Sequence, residues 1–345
     1  MAIKRTHFPD INPKSWEHPA DRAALTALRK VPGLDVVLQK FIGATTERSL
    51  RLIHLASAVR VTERQFPKVH RLHLEACGIF NVANPPELFV TQTPILNAQA
   101  VGVENPFIVL NSSMIDALSE EELLSVIAHE LGHCLSGHVL YKTLLALLLR
   151  FSTLMTAIPL GGISLMAIIA ALREWDRKSE LSADRAGLLV VQDPQVSYTL
   201  LMKMAGGSRV EQMDTNEFFL QAAEYGKGGS MADSIYKLLN LLWQSHPFPV
   251  LRLTELKTWV DDGSYGKIIG GDYIRHDAAA QRTAAEEFRE ARRVYAEDIA
   301  SSDDPLVDLF RSVTGAAGNA GNKAKEMFEA MFKEKGNGNE ESGRA

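Results

Sequence analysis

Cysteine is scarce: Cys77 and Cys134 are the only two in 345 residues. With no pairing pattern they exclude the disulfide framework of a small secreted domain and fit a reducing compartment. A basic surplus is lacking too. The formal net charge of -5 leaves nothing to neutralise a phosphate backbone, so nucleic acid is excluded as a partner. The start, MAIKRTHFPDINPKSWEHPADRAALTALRK, has basic residues with no apolar run behind them, so no signal peptide is expected and a cytoplasmic location follows. There is no internal repeat. What is present, 46% hydrophobic and 23% charged residues, is the composition of a folded protein with a large core.

The span 19–66 reads as helical, with Leu50, Ile53 or His54, and Ala58 or Val61 at helical spacing. The rhythm then changes. PPELFVTQTPILNAQAVGVENPFIVLNSSM, rich in Pro, Asn and β-branched residues, predicts strands over 88–91, 98–103 and 107–110, with Glu104, Asn105 and Pro106 as a turn. Ser119, followed three residues later by Glu122, marks a helix start of the capping-box type. A second long helix is predicted over 171–191, ended by Asp193 and Pro194. Further helices are expected around 231–244 and 279–299. The Gly-, Asn- and Lys-rich residues from 315 onward read as a disordered tail.

The helix that begins at Ser119 carries HELGH. An α-helix turns 100° per residue, so His129 and His133 lie about 40° apart, near enough for both imidazoles to meet one ion. Glu130, about 60° further round, can reach a metal-bound water without ligating the metal, which is why this spacing serves hydrolytic zinc chemistry. The competing explanation is a chance arrangement in an ordinary helix. Such a site needs a third protein ligand. A metzincin would require Gly at position 136 and His at position 139, where the chain has Ser136 and Val139. His138, about 140° round from His133, is expected to point away as a satisfied polar residue on the back of the helix. Glu180 and Asp184 in SELSAD share a helix face. Alone they read as an ordinary solvated charge pattern; beside HELGH, Glu180 becomes the third ligand and Asp184 the acceptor that orients a ligand imidazole.

The blocks PFIVLNSSMIDALSEEELLSVIAHELGHCLSGH, SELSADRAGL and HPFPVLRL, in that order, resemble the signature of the gluzincin family that contains the CAAX prenyl proteases and the HtpX-type bacterial heat-shock membrane proteases. The resemblance runs from Pro67 to Leu256. It implies that His129, His133 and Glu180 hold one Zn2+ per chain, that Glu130 is the general base, and that Asp184 orients a ligand. It also implies that His246 lies in the cleft facing the developing oxyanion, with Arg252 nearby as a structural or substrate-holding cation. Read without the resemblance, Pro247 ends a helix near His246, and Arg252 makes a surface ion pair.

The expected fold is therefore α+β and mainly helical. It is a zincin-like catalytic domain with a small β-sheet, an HExxH helix and an apolar helical hairpin. The expected divisions are a helical segment over 1–66, the metallopeptidase domain over 67–260, a helical extension over 261–314 and the tail over 315–345. The implied activity is hydrolysis of peptide bonds in unfolded or membrane-proximal polypeptides, with the polypeptide added to the edge of the strand AQAVGV. Asn97 and Ala98 open that strand, Asn97 either in the site or as a turn residue. Two other classes stay open: a zinc-stabilised binding or chaperone-like module with latent proteolysis, and a membrane-associated interaction protein.

Between Lys142 and Arg173 the sole charged side chain is Arg150, so the segment is apolar enough to enter a membrane. Pro159, Gly161 and Gly162 interrupt it. Because His133 and Glu180 must meet, both ends lie on one side, and a hairpin over 143–172 is expected. It contacts a membrane, folds as core, or joins a second copy in a homo-oligomer.

Overall fold

The structure, a computed structural model, describes residues 4–31, 33, 34, 37, 38, 47–150, 165–226 and 248–276. The expected helices over 231–244 and 279–299, the tail from 315, the tip of the apolar hairpin over 151–164, and His246 all lie outside the described residues. The chain is mostly helical with one small mixed sheet. Its helices are α1 (Pro19–Leu28), α2 (Glu47–Ser57), α3 (Pro67–Ile79), α4 (Ser112–Ala117), α5 (Glu120–Leu135), α6 (Val139–Arg150), α7 (Leu165–Val191), α8 (Pro194–Gly206), α9 (Thr215–Gly226), α10 (Pro249–Asp261) and α11 (Ser264–Ile269). Its strands are β1 (Val59–Arg60), β2 (Leu88–Thr91), β3 (Ala98–Val101) and β4 (Phe107–Asn111).

The sheet order is β1-β2-β4-β3. Strands β2 and β4 are parallel, with Phe89 opposite Val109, and the outer pairs are antiparallel. Val59 and Arg60 were expected to extend a helix and instead pair with Val90 and Phe89. Helix α2 stops at Ser57 because the β-branched Val59 and Val61 find ladder partners, Val61 donating its N–H to the Leu88 carbonyl at 2.8 Å. Strand β3 ends at Val101, two residues short of the expected boundary, where Gly102 adopts φ 147°.

Helix α5 starts where the sequence marks it. The Ser119 hydroxyl accepts from the Glu122 N–H at 3.2 Å, and the Glu122 carboxylate accepts from the Ser119 N–H at 2.8 Å, satisfying two of the donors that a helix start leaves open. Lys203 adds an ion pair to the same carboxylate at 2.7 Å. One core unites the sheet with α3, α5 and α7 through Leu88, Ile108, Leu110, Leu124, Ile127, Leu131 and Leu189. The first residues join it: Phe8, Ile11 and Trp16 are buried there, with Trp16 stacked on Phe80 at 4.9 Å. A second core answers the question posed by the apolar segment for its described part. Leu144, Leu145 and Leu148 of α6 and Ile168, Leu172 and Trp175 of α7 bury against Ala24 and Leu28 of α1. No helix among the described residues is long and apolar enough to cross a membrane.

Candidate metal centre

Helices α5 and α7 approach closely because glycine stands at two reciprocal points. A Cβ on Gly132 would lie 2.6 Å from the Ala186 Cβ, and one on Gly187 would lie 3.0 Å from the Ser125 carbonyl oxygen and 3.8 Å from the His129 Cβ. The glycine of HELGH is thus a packing requirement: without side chains at the contact, the ligand-bearing faces meet.

They meet at Glu180. Its Oε2 lies 3.3 Å from His129 Nε2, and its Oε1 lies 3.2 Å from His133 Nε2. One donor atom from each of His129, His133 and Glu180 falls within 4.8 Å of the others, and all three side chains are buried. Two imidazoles and a carboxylate at this spacing match the donor set that hydrolytic zinc sites use. The other nitrogen of His129, Nδ1, lies 3.1 Å from Asp184 Oδ1, so the ring is held with Nε2 turned to Glu180. Arg252 grips Asp184 with two bonds of 2.7 and 2.5 Å and places Nη1 3.2 Å from Glu180 Oε2. Arg252 is itself buried. It therefore forms an interior ion pair, not the surface pair expected from its sequence context, and its guanidinium is committed to the carboxylates of the centre.

Buried charge sets the local acidities. Burial works against a charged His129, but its bonds to Asp184 and Glu180 outweigh that and lift its pKa to about 9 without metal. For His133, burial and then the nearby Lys142 push the pKa well below the usual histidine range. Burial also raises the Glu130 carboxyl, in the direction a general base working near neutral pH requires. Glu130 is almost fully buried, with its Oε2 lacking a hydrogen-bond partner among the described residues, beside the Ala100 backbone amide, which favours its charged form.

Strand β3 is the last in the sheet order. The Asn111 N–H bonds the Asn97 carbonyl at 3.0 Å, so by antiparallel alternation Gln99 and Val101 bond to β4 while the backbone groups of Ala98 and Ala100 face outward. A groove of about 400 Å³ follows this edge, lined by residues 97–101, Leu50, Ile53, Lys142, Leu145 and Asp176. Asn97 and Ala98 thus stand at the groove, Asn97 immediately before the strand.

Three residues escaped the sequence reading. Lys142 places its ammonium 2.6 Å from Glu180 Oε1 and 2.7 Å from Asp176. Asp21 lies 3.0 Å from His138 Nε2. Contacts between separate helices leave no mark in a periodic pattern, so neither Lys142, Asp176 nor Asp21 could be found that way. His138 was misplaced for a different reason. Helix α5 ends at Leu135 and Gly137, at φ 70°, turns the chain, so His138 folds back with its Nδ1 3.0 Å from His133 Nδ1. It is satisfied, as expected, but faces the cluster and does not lie on the back of the helix.

A mostly helical domain in which two histidines of HExxH meet a downstream glutamate is an arrangement suited to a metal-dependent hydrolase. The profile of peptidase family M48 matches residues 63–260, and the chain belongs to that family. It is 34% identical over 273 residues to the plastoglobule-localized metallopeptidase 48, chloroplastic, of Arabidopsis thaliana, covering 78% of each chain. It is 24% identical over 228 residues to protease HtpX homolog 2 of Methanosarcina mazei, covering 57% of this chain and 74% of that one. With the protease HtpX homolog of Ralstonia pickettii it shares 25% identity over 242 residues, 62% of this chain and 81% of that one. No solved structure matches the chain.

Proposed function

We propose that the protein is a zinc metalloendopeptidase that cleaves extended segments of unfolded or membrane-proximal polypeptides. The observation that carries this reading is the meeting of His129, His133 and Glu180 beside Glu130 and the outward edge of β3. His129, His133 and Glu180 hold the metal, and Asp184, itself gripped by Arg252, fixes the His129 ring. Zinc bound by these three residues would supply Lewis-acid activation of water for attack on the peptide carbonyl. Glu130 takes the proton from the attacking water and delivers it to the leaving amine nitrogen. The outward backbone groups of Ala98 and Ala100 hold the substrate as an added strand, a mode that reads backbone and tolerates many sequences. Among the further roles carried by the resemblance, His246 supplies a hydrogen bond to the oxyanion. Arg252 acts as a structural cation, since its guanidinium is engaged by Asp184 and Glu180. The described parts of the apolar segment are core; a membrane contact would rest with residues 151–164.

Glu130→Gln tests the reading. The variant should bind one zinc per chain and lose cleavage of a reduced, unfolded protein substrate by a factor of at least about 100. Cleavage at the wild-type rate would remove Glu130 from its role.

A further inference from the structure

The cluster has two arms, and only one is accounted for. Asp184 holds His129, whereas His133 turns its Nδ1 to His138 at 3.0 Å, and His138 turns its Nε2 to Asp21 Oδ2 at 3.0 Å. All of these groups are buried. Asp21 comes from α1, before the residues matched by the family profile. We propose that Asp21 and His138 are positioning residues that fix the ring and tautomer of His133, making α1 a working part of the metal centre. The inference rests on the reading of His133 as a zinc ligand.

The direction of the chain follows from donor and acceptor chemistry. Two ring nitrogens 3.0 Å apart share one proton, so one donates and the other accepts. The Asp21 carboxylate only accepts, so a neutral His138 carries its proton on Nε2 and leaves Nδ1 as an acceptor. His133 then donates from Nδ1 and keeps its Nε2 lone pair for the metal. Were His138 protonated on Nδ1 instead, His133 would hold its proton on Nε2, the atom facing Glu180, and could not ligate. Asp21 is fixed in turn: its Oδ1 accepts from the Trp175 indole at 3.1 Å, and its Oδ2 from the Ser182 hydroxyl at 2.6 Å.

That arrangement makes Asp21→Asn a sharp probe. The Trp175 N–H can only donate, so the asparagine must keep its oxygen there and turn its NH2 to His138. A donor facing Nε2 drives the His138 proton to Nδ1 and reverses the relay with almost no change in volume.

The experiment uses full-length protein stripped of metal and titrated with Zn2+ against a chromophoric chelator. Wild type, Asp21→Asn, His138→Gln, the double variant and His133→Asn are compared. Asp21→Asn and His138→Gln should each weaken zinc binding about 10 to 100-fold. The double variant should be no weaker than His138→Gln alone, because Asp21 acts through His138. Wild-type affinity in Asp21→Asn, or effects that multiply in the double variant, overturns the relay while leaving the metal ligands in place. Full zinc binding by His133→Asn instead overturns the ligand reading itself. A measurement on the wild type stands even if a variant does not fold. In zinc-loaded protein with 15N-labelled histidine, the His138 ring, assigned through its contact with Trp175 at 5.6 Å between ring centres, should carry its proton on Nε2. A proton on Nδ1 would overturn the proposal.

Discussion

Glu180 is held from both sides, by Lys142 at Oε1 and Arg252 at Oε2. Removing its carboxylate would take one donor from the proposed metal site and leave two buried cations with less compensation. Glu180→Ala is therefore expected to lose zinc binding and to destabilise the zinc-free fold by about 3 kcal/mol or more, measured by metal analysis and denaturant unfolding. A second single-residue effect lies far from the metal. His73 is buried on α3 with its Nε2 unpartnered among the described residues, and burial lowers its pKa to about 4. Below the ordinary value of 6.5 the unfolded chain takes a proton that the folded chain refuses, so stability drains as pH falls from 6.5 toward 4. The loss from this group is about 2 kcal/mol by pH 5. His73→Leu should flatten that limb of the plot of Tm against pH; an unchanged limb would assign the acid sensitivity elsewhere.

At the scale of elements, the site depends on how near α5 comes to α7. Gly132→Ala would set a methyl 2.6 Å from the Ala186 Cβ, and the helices must part. The expected cost is about 1 to 3 kcal/mol, with weakened zinc binding because His133 and Glu180 sit on the parting faces. Gly78→Ala is the control. Nothing lies within 4 Å of a Cβ there, and alanine in a helix is favoured over glycine by about 1 kcal/mol, so that variant should keep zinc and melt no lower than wild type. Equal behaviour of the two variants in thermal melts would reject the close-approach argument. The apolar segment belongs to the same scale: its described flanks bury their leucines against each other and against α1, which is why the charge-poor stretch need not signal a span.

At the scale of the molecule, the N-terminal residues are core. Phe8 and Trp16 are fully buried and Ile11 nearly so, and Asn12 N–H bonds the Ile274 carbonyl at 2.8 Å, tying the start of the chain to residues beyond α11. Deleting residues 1–17 removes three side chains that contribute about 1.5 to 3 kcal/mol each, a large share of the roughly 5 to 15 kcal/mol that keeps a domain folded. The truncated protein should lose a cooperative thermal transition or melt far lower, even though it retains His129, His133 and Glu180.

Sequence alone determined what neighbouring residues decide. The Ser119 cap, the i, i+4 spacings of His129 with His133 and of Glu180 with Asp184, and the strand over 88–91 follow from backbone geometry within a few residues, and the structure forms each of them. Tertiary structure decided the rest. Helical spacing could not foresee that α5 would stop at Leu135 and return His138 to His133, since a positive-φ glycine redirects the chain there. Nor could it pair Val59 with Val90, because a strand needs a partner from elsewhere. Asp21, Lys142 and Arg252 reach the centre from three separate helices, and only the packing of those helices sets Lys142 and Arg252 against Glu180 and Asp21 against His138.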